Sequence, residues 1–146
     1  MKNLVIIIIV FFSSFTFSQD KYLTKTGTVV FEASVPSFEE VKAENKNTTA
    51  ILNTENGEFA ALVLVKGFRF KNALMEEHFN ENYAESDDYP KATFKGTITE
   101  FTLENISTQK TMIYNGSLVF HGKTKKLENK TLNIFQNSSG QISLSR

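Results

Sequence analysis

The chain has 146 residues, room for one domain, and its 16 basic and 16 acidic side chains cancel, so no polyanion partner such as nucleic acid is advertised. It contains no Cys, which excludes disulfides, thiol catalysis and Cys-based zinc sites, and its two His exclude a His-rich metal centre. A hydrophobic content of 40% is too high for a disordered chain.

The first element is expected to be a secretory signal peptide at residues 1–18. Lys2 supplies a positive start, Leu4 to Phe12 form an unbroken apolar run, and Thr16 and Ser18 occupy the −3 and −1 positions of a cleavage before Gln19. A membrane anchor is the alternative, but the run is shorter than the roughly 20 residues a span needs and lacks a basic flank. The expectation is therefore an exported protein, periplasmic or secreted, with no stable membrane span. Its working domain is residues 19–146, left slightly acidic once Lys2 departs.

Beyond the leader the pattern is strand-like. From Thr26 to Val35, Val29, Phe31, Ala33 and Val35 alternate with Thr28, Glu32 and Ser34, and Pro36 ends the run. Lys42 to Asn53 is a second strand. Asn56-Gly57 then marks a hairpin, because both residues tolerate positive φ. Glu58 to Phe70 reads as one strand that is apolar on both faces, which predicts cover on both sides. Lys71 to Tyr83 contains no β-branched residue and places Leu74 four before His78 and Met75 four before Phe79, the spacing of a short amphipathic helix. Glu85 to Asp88 is an acidic loop, and Tyr89-Pro90 is extended chain entering the next strand.

Ala92 to Phe101 is a strand, Thr102 to Lys110 a connection, and Thr111 to Phe120 a strand. His121-Gly122 starts a turn, Leu127 to Phe135 is a strand, Asn137 to Gly140 a turn, and Gln141 to Ser145 a last strand. About seven strands and one helix, with turns at short intervals, point to an all-β antiparallel barrel or sandwich.

No catalytic constellation assembles. There is no G-x-S-x-G elbow, and the acids from Glu76 to Asp88 lack the spacing of a calcium loop. His78 beside Glu76 and Glu77 suits a general base or metal ligand only with further partners that the sequence lacks. The reading is a non-enzyme with no cofactor. What remains is aromatic mass on strand faces, Phe 31, 38, 59, 68, 70, 79, 94, 101, 120 and 135. These side chains either fill a core or line a barrel cavity that holds a small apolar ligand.

Two stretches carry a family resemblance. His78-Phe79 on the helix is followed by Tyr89-Pro90 and Ala92-Thr93-Phe94, and further on stands Gly116-x-Leu118-x-x-x-Gly122-x-Thr124-Lys125. In order and spacing these resemble the YceI-like, polyisoprenoid-binding family, over about residues 26–135. The resemblance implies an extended lipocalin-like antiparallel β-barrel with one short helix. Family chains run several tens of residues past the second stretch, so this one reads as shortened at its C-terminus and its barrel as incomplete. It implies a binding protein whose partner is an isoprenoid quinone or other long-chain lipid. The matching positions would draw the lining from Phe31, Phe59, Leu62, Leu64, Phe68, Phe70, Leu74, Phe79, Phe94, Ile98, Tyr114, Leu118 and Phe120. The alternative is a cell-envelope interaction module whose Phe residues fill the core and leave no ligand site.

Overall fold

The computed structural model describes residues 20–33 and 41–146; the expected leader, Val35, Pro36 and Phe38 lie outside the described residues. Eight strands form a single antiparallel sheet: β1 Lys21–Ala33, β2 Val41–Asn53, β3 Glu58–Leu64, β4 Arg69–Phe70, β5 Lys91–Ile98, β6 Lys110–Phe120, β7 Lys123–Gln136 and β8 Ile142–Ser145. The order is β1-β2-β3-β5-β6-β7-β8, with β4 pairing the far end of β2. The sheet curls into a nearly closed lipocalin-like barrel. One seam remains, between β1 and β8, where no backbone ladder joins the described residues. Gln136 Nε2 donates to Tyr22 Oη at 3.5 Å across it. Among the described residues no helix is long and apolar enough to cross a membrane.

The register assigns the faces, because directly paired antiparallel residues share a side of the sheet. Tyr22, Leu52 and Phe59 form one such row, and Val63 with Ala92 another. Phe94 with Leu118, and Ile98 with Tyr114, continue the inner face on β5 and β6. Thr93, Lys95 and Thr97 take the outer face, so the period-two reading of these strands holds.

Several predicted elements are corrected in extent. The strand expected at Glu58–Phe70 stops at Leu64, since its ladder with β5 ends at Leu64 opposite Lys91. Val65 N then donates to Pro90 O at 2.9 Å, and a 3-10 turn covers Val65–Gly67 before β4 begins. Gly67 is required there, because a Cβ would lie 2.5 Å from Asn45 Nδ2. Among the described residues no second layer covers the outer face: Leu64 is exposed, and Ala60 and Leu62 are half-buried.

The hairpin at Asn56-Gly57 is a longer loop than the dipeptide suggests. Gly57 alone has positive φ, at 75°, while Asn56 Oδ1 accepts from Glu58 N. A true two-residue turn stands at His121-Gly122, both left-handed at φ 50° and 68°, joining Phe120 to Lys123. β7 consequently starts four residues before the expected Leu127. β1 starts at Lys21 rather than Thr26.

The expected helix is shorter than predicted. α1 is Ala73–His78, capped by Asn72 Oδ1, which accepts from Leu74 N at 2.9 Å, and a π-helical turn follows at Phe79–Tyr83. Glu76 fixes it to the barrel: its carboxylate accepts from Arg69 Nη1 and from Phe70 N, both at 3.1 Å. The connection after β5 is also structured. Its 3-10 turn, Leu103–Ile106, inserts the fully buried Ile106 into the opposite end.

The core divides in two. At the helix end Ala43, Val63, Val65, Phe68, Phe79, Ala84 and Ala92 pack together with Val29, Phe31, Phe70 and Phe120. At the far end Leu52, Ile98, Phe101, Ile106, Tyr114, Leu132 and Ile134 pack with Tyr22, Phe59 and Phe94. Aromatic and aliphatic bulk plugs both ends.

Candidate functional site, the barrel lumen

Between the two plugs the inner face is built from smaller side chains. β1 contributes Gly27, β2 contributes Thr48 and Ala50, and β3 contributes Ala61. Register sets Gly27 beside Thr48 and Ala50 beside Ala61. Small residues on adjacent strands leave space that the plugs do not enter. The result is a cavity of about 730 Å³, lined further by Tyr22, Val29, Leu52, Phe59, Phe94, Tyr114, Leu127 and Leu132, with Ile142 and Leu144 at the seam. Its walls are predominantly apolar, and its size falls within the roughly 300–1,000 Å³ of small-molecule sites. The seam between β1 and β8 forms one wall, so the lumen opens sideways rather than through either plugged end.

Two glycines lie behind one of the lining rings, Phe94. Gly96 and Gly116 are paired across β5 and β6, and the Phe94 ring lies against both. A Cβ on Gly96 would come within 2.7 Å of Phe94 Cζ and of Asn115 O. A Cβ on Gly116 would come within 2.5 Å of the same ring atom and 2.6 Å of Lys95 O. The ring is thereby laid flat against the wall, where it also meets Phe59 at 5.0 Å and Tyr114 at 5.8 Å between centroids.

Polar residues are the minority of the wall: Thr24, Thr28 and Thr48 on β1 and β2, with Gln141, Ser143, Ser145 and Arg146 at the seam. Thr48 Oγ1 is buried and finds no hydrogen-bond partner among the described residues. Asn45, one turn of the pleat away, is satisfied: its Nδ2 donates to Leu64 O at 3.0 Å and its Oδ1 accepts from Asn47 N. Among the described residues no group of three His, Cys, Asp or Glu is placed to hold a metal ion. His78 is exposed on α1, while His121 Nε2 meets Glu85 Oε2 and its ring packs edge-on against Tyr89.

The thirteen residues expected from the resemblance separate into groups. Phe59, Phe94 and Tyr114 line the lumen. Leu118 shares the inner face with Phe94. Phe31, Phe68, Phe70, Phe79 and Phe120 form the plug at the helix end, and Ile98 belongs to the far plug. Leu62 pairs with Thr49 and Thr93 on the outer face, Leu64 is 54% exposed and Leu74 is 57% exposed, so these three stand apart from the lumen. As lining, sequence reasoning missed the small residues, Gly27, Thr48, Ala50 and Ala61, together with Tyr22, Leu127 and, on the expected last strand, Ile142 and Leu144. The alternation of Thr48, Ala50 and Leu52 was the available signal, but a cavity is announced by missing bulk, which hydrophobicity does not mark.

A single curled antiparallel sheet, plugged at both ends and hollow between, defines a lipocalin-like barrel with an apolar interior. The chain belongs to the YceI-like domain family, whose model matches residues 15–146. Two solved structures are similar in fold. One is a polyisoprenoid-binding domain from Saccharophagus degradans implicated in plant cell wall breakdown, at 14% identity and TM-score 0.70, covering 86% of this chain and 72% of that one. The other is a mutant CJ YceI protein carrying a monobromobimane guest, at 15% identity and TM-score 0.51, covering 78% and 68% respectively. No curated protein matches the chain significantly.

Proposed function

We propose that this protein is an exported, non-catalytic carrier that holds the chain of an isoprenoid, such as a quinone tail, or of another long-chain lipid in its barrel. The observation that carries this reading is the apolar lumen of about 730 Å³, kept hollow by small residues on β1–β3 and opening at the seam. Family membership supports it, as does the S. degradans relative, described as a polyisoprenoid-binding domain. The free energy would come from burying an apolar tail, at about 0.8 kcal/mol per methylene. No covalent step is needed, and the chemistry at the wall suits an apolar tail: aromatic faces and aliphatic ends, with the polar side chains gathered mainly along the seam.

The leader pattern expected at residues 1–18 supports export, and a lipid moved through an aqueous compartment needs such a sheltered interior. A filled-core envelope module is the less favoured reading, since the space between the plugs is unfilled. The test is to purify the protein, extract it with organic solvent and analyse the extract by mass spectrometry. A long-chain lipid near one per protein is expected. A folded, homogeneous protein that releases none, and takes up none when offered, would refute the carrier reading.

A further inference from the structure

β3 presents an outer face that water does not favour. Its outward residues are Ala60, Leu62 and Leu64, where a solvated face is ordinarily polar. Register extends this strip to the neighbouring strands, because directly paired residues share a face. Leu23, Ile51 and Ala60 form one outer row, and Thr49, Leu62, Thr93 and Val119 the next. Leu23, Ile51, Leu64 and Val119 are all exposed. A single strip therefore runs from the seam strand β1 across β2, β3 and β5 to β6, with aliphatic side chains turned outward.

The charges around this strip are mostly of one sign. Lys95 continues the row of Ala60, and Lys126 stands beyond Ser117 in the same row. Lys91 pairs with Leu64 at one end of the strip, and Lys21 lies two residues before Leu23 at the other. Among the described residues, ion pairs engage Lys42, Lys46, Lys66, Arg69 and His121, and none engages these four lysines. Glu32 and Glu44 are already matched to Lys42 and Lys46. Glu58 and Glu128 are the acids of the shallow groove that crosses the face, beside Lys21, Lys95 and Lys126. Six further acids, Glu76, Glu77, Glu81, Glu85, Asp87 and Asp88, gather on α1 and the loop after it, at the helix end. An aliphatic strip rimmed by ammonium groups complements a surface that is apolar beneath and negative on top, as an anionic bilayer is. A second copy of the chain fits it badly, since a twofold contact through this strip would set lysines against lysines.

We propose that the outer face of β2, β3, β5 and β6 is a docking surface for an anionic lipid membrane. Ile51, Leu62, Leu64 and Val119 enter the interfacial layer. Lys21, Lys91, Lys95 and Lys126 lie against the lipid phosphates, with their methylene stems following the apolar residues. The inference goes beyond the carrier reading and does not require the lumen to be filled. Where both hold, docking brings the barrel to the source of its cargo, because β1 carries Leu23 on this face and the seam along its free edge.

The test is co-sedimentation of the purified chain with two kinds of vesicle, phosphatidylcholine alone and phosphatidylcholine with about 30 mol% phosphatidylglycerol, because each lysine near an anionic surface adds about fivefold to binding. The chain should bind the mixed vesicles, and less so as ionic strength rises from about 0.02 to about 0.5 M. Lys95→Gln with Lys126→Gln should weaken binding at least about tenfold. Leu64→Ser with Val119→Ser should weaken it as well. Lys71→Gln with Lys110→Gln removes the same charge away from the strip and should change binding by less than about twofold. Circular dichroism checks the fold of each variant. Since the chain has no Cys, an environment-sensitive NBD label on Leu64→Cys is unique; its emission should shift to the blue on the mixed vesicles, and the same label on Glu77→Cys, on α1, should stay unshifted. No binding to the mixed vesicles, binding indifferent to the Lys95 and Lys126 substitutions, or a label at position 64 that remains in water while the protein sediments would overturn the proposal. A label at that position that shifts without vesicles as protein concentration rises would give the face to a second copy and overturn it too. Lipid uptake by the lumen is read separately, in solution without vesicles, so the docking face and the carrier reading fail independently.

Discussion

At the scale of single residues, the lumen depends on what is absent from it. Gly96 and Gly116 allow the Phe94 ring to lie against the wall, and neither can accept a methyl group, because backbone oxygens as well as the ring stand within 2.7 Å of the added carbon. Gly96→Ala and Gly116→Ala should each cost about 1–3 kcal/mol, the usual penalty of overpacking, read from urea denaturation. An unchanged midpoint would mean that the ring swings freely into the cavity. Thr48 argues in the opposite direction. Its buried hydroxyl has no partner among the described residues, so Thr48→Val should be neutral or stabilising by up to about 1 kcal/mol. A loss of stability would show that the hydroxyl is bonded to something in the lumen. At this scale the sequence was partly legible. Large aromatics declared themselves, and of these Phe59, Phe94 and Tyr114 line the cavity, but Ala50, Ala61 and Gly27 were silent because a small residue looks alike in a tight core and in a hollow one.

At the scale of elements, the end plug is held as much by hydrogen bonds as by packing. α1 is too short to be stable alone. Phe79, buried among Phe31, Phe68 and Phe70, anchors it, and Glu76 ties it to β4 through the Phe70 amide and the Arg69 guanidinium. Phe79→Ala should cost about 3–5 kcal/mol by cavity formation. Glu76→Gln should cost less and act locally: amide exchange at Phe70 should quicken while the far plug, around Ile106 and Ile134, stays protected. Uniform quickening in both plugs would show that the helix is part of one cooperative unit with them. The strands of period two were readable, as were the turn at His121-Gly122 and the helix around His78. The break at Val65–Gly67 was not, because its cause is remote: Asn45 reaches across from β2 and β5 begins only after Pro90. The plug at Leu103–Ile106 was hidden for a similar reason, since a short turn with two apolar residues lacks any period.

At the scale of the whole molecule, a curled sheet with one unpaired seam combines a sheltered interior with a lateral entrance. Both ends are filled by packed side chains, and among the described residues the gap between β1 and β8, bridged by Gln136 and Tyr22, is the unpaired side of the lumen. The barrel class was legible from strand spacing and from the motifs at His78-Phe79, Tyr89-Pro90 and Gly116 to Lys125. The position of the cavity was not, because it follows from which strands end up opposite one another.

The central claim is that the hollow between the plugs holds the lipid. The most direct measurement is uptake of a fluorescent polyene fatty acid, cis-parinaric acid, by the native chain and by Ala61→Phe. That variant places a ring where β2 and β3 face the lumen and should leave the circular dichroism of the barrel unchanged. The account predicts saturable uptake near one per chain by the native protein and a loss of at least about tenfold in affinity for the variant, the scale of one displaced buried group. Equal binding by the two proteins, with the fold intact in both, would place the lipid elsewhere and contradict the account.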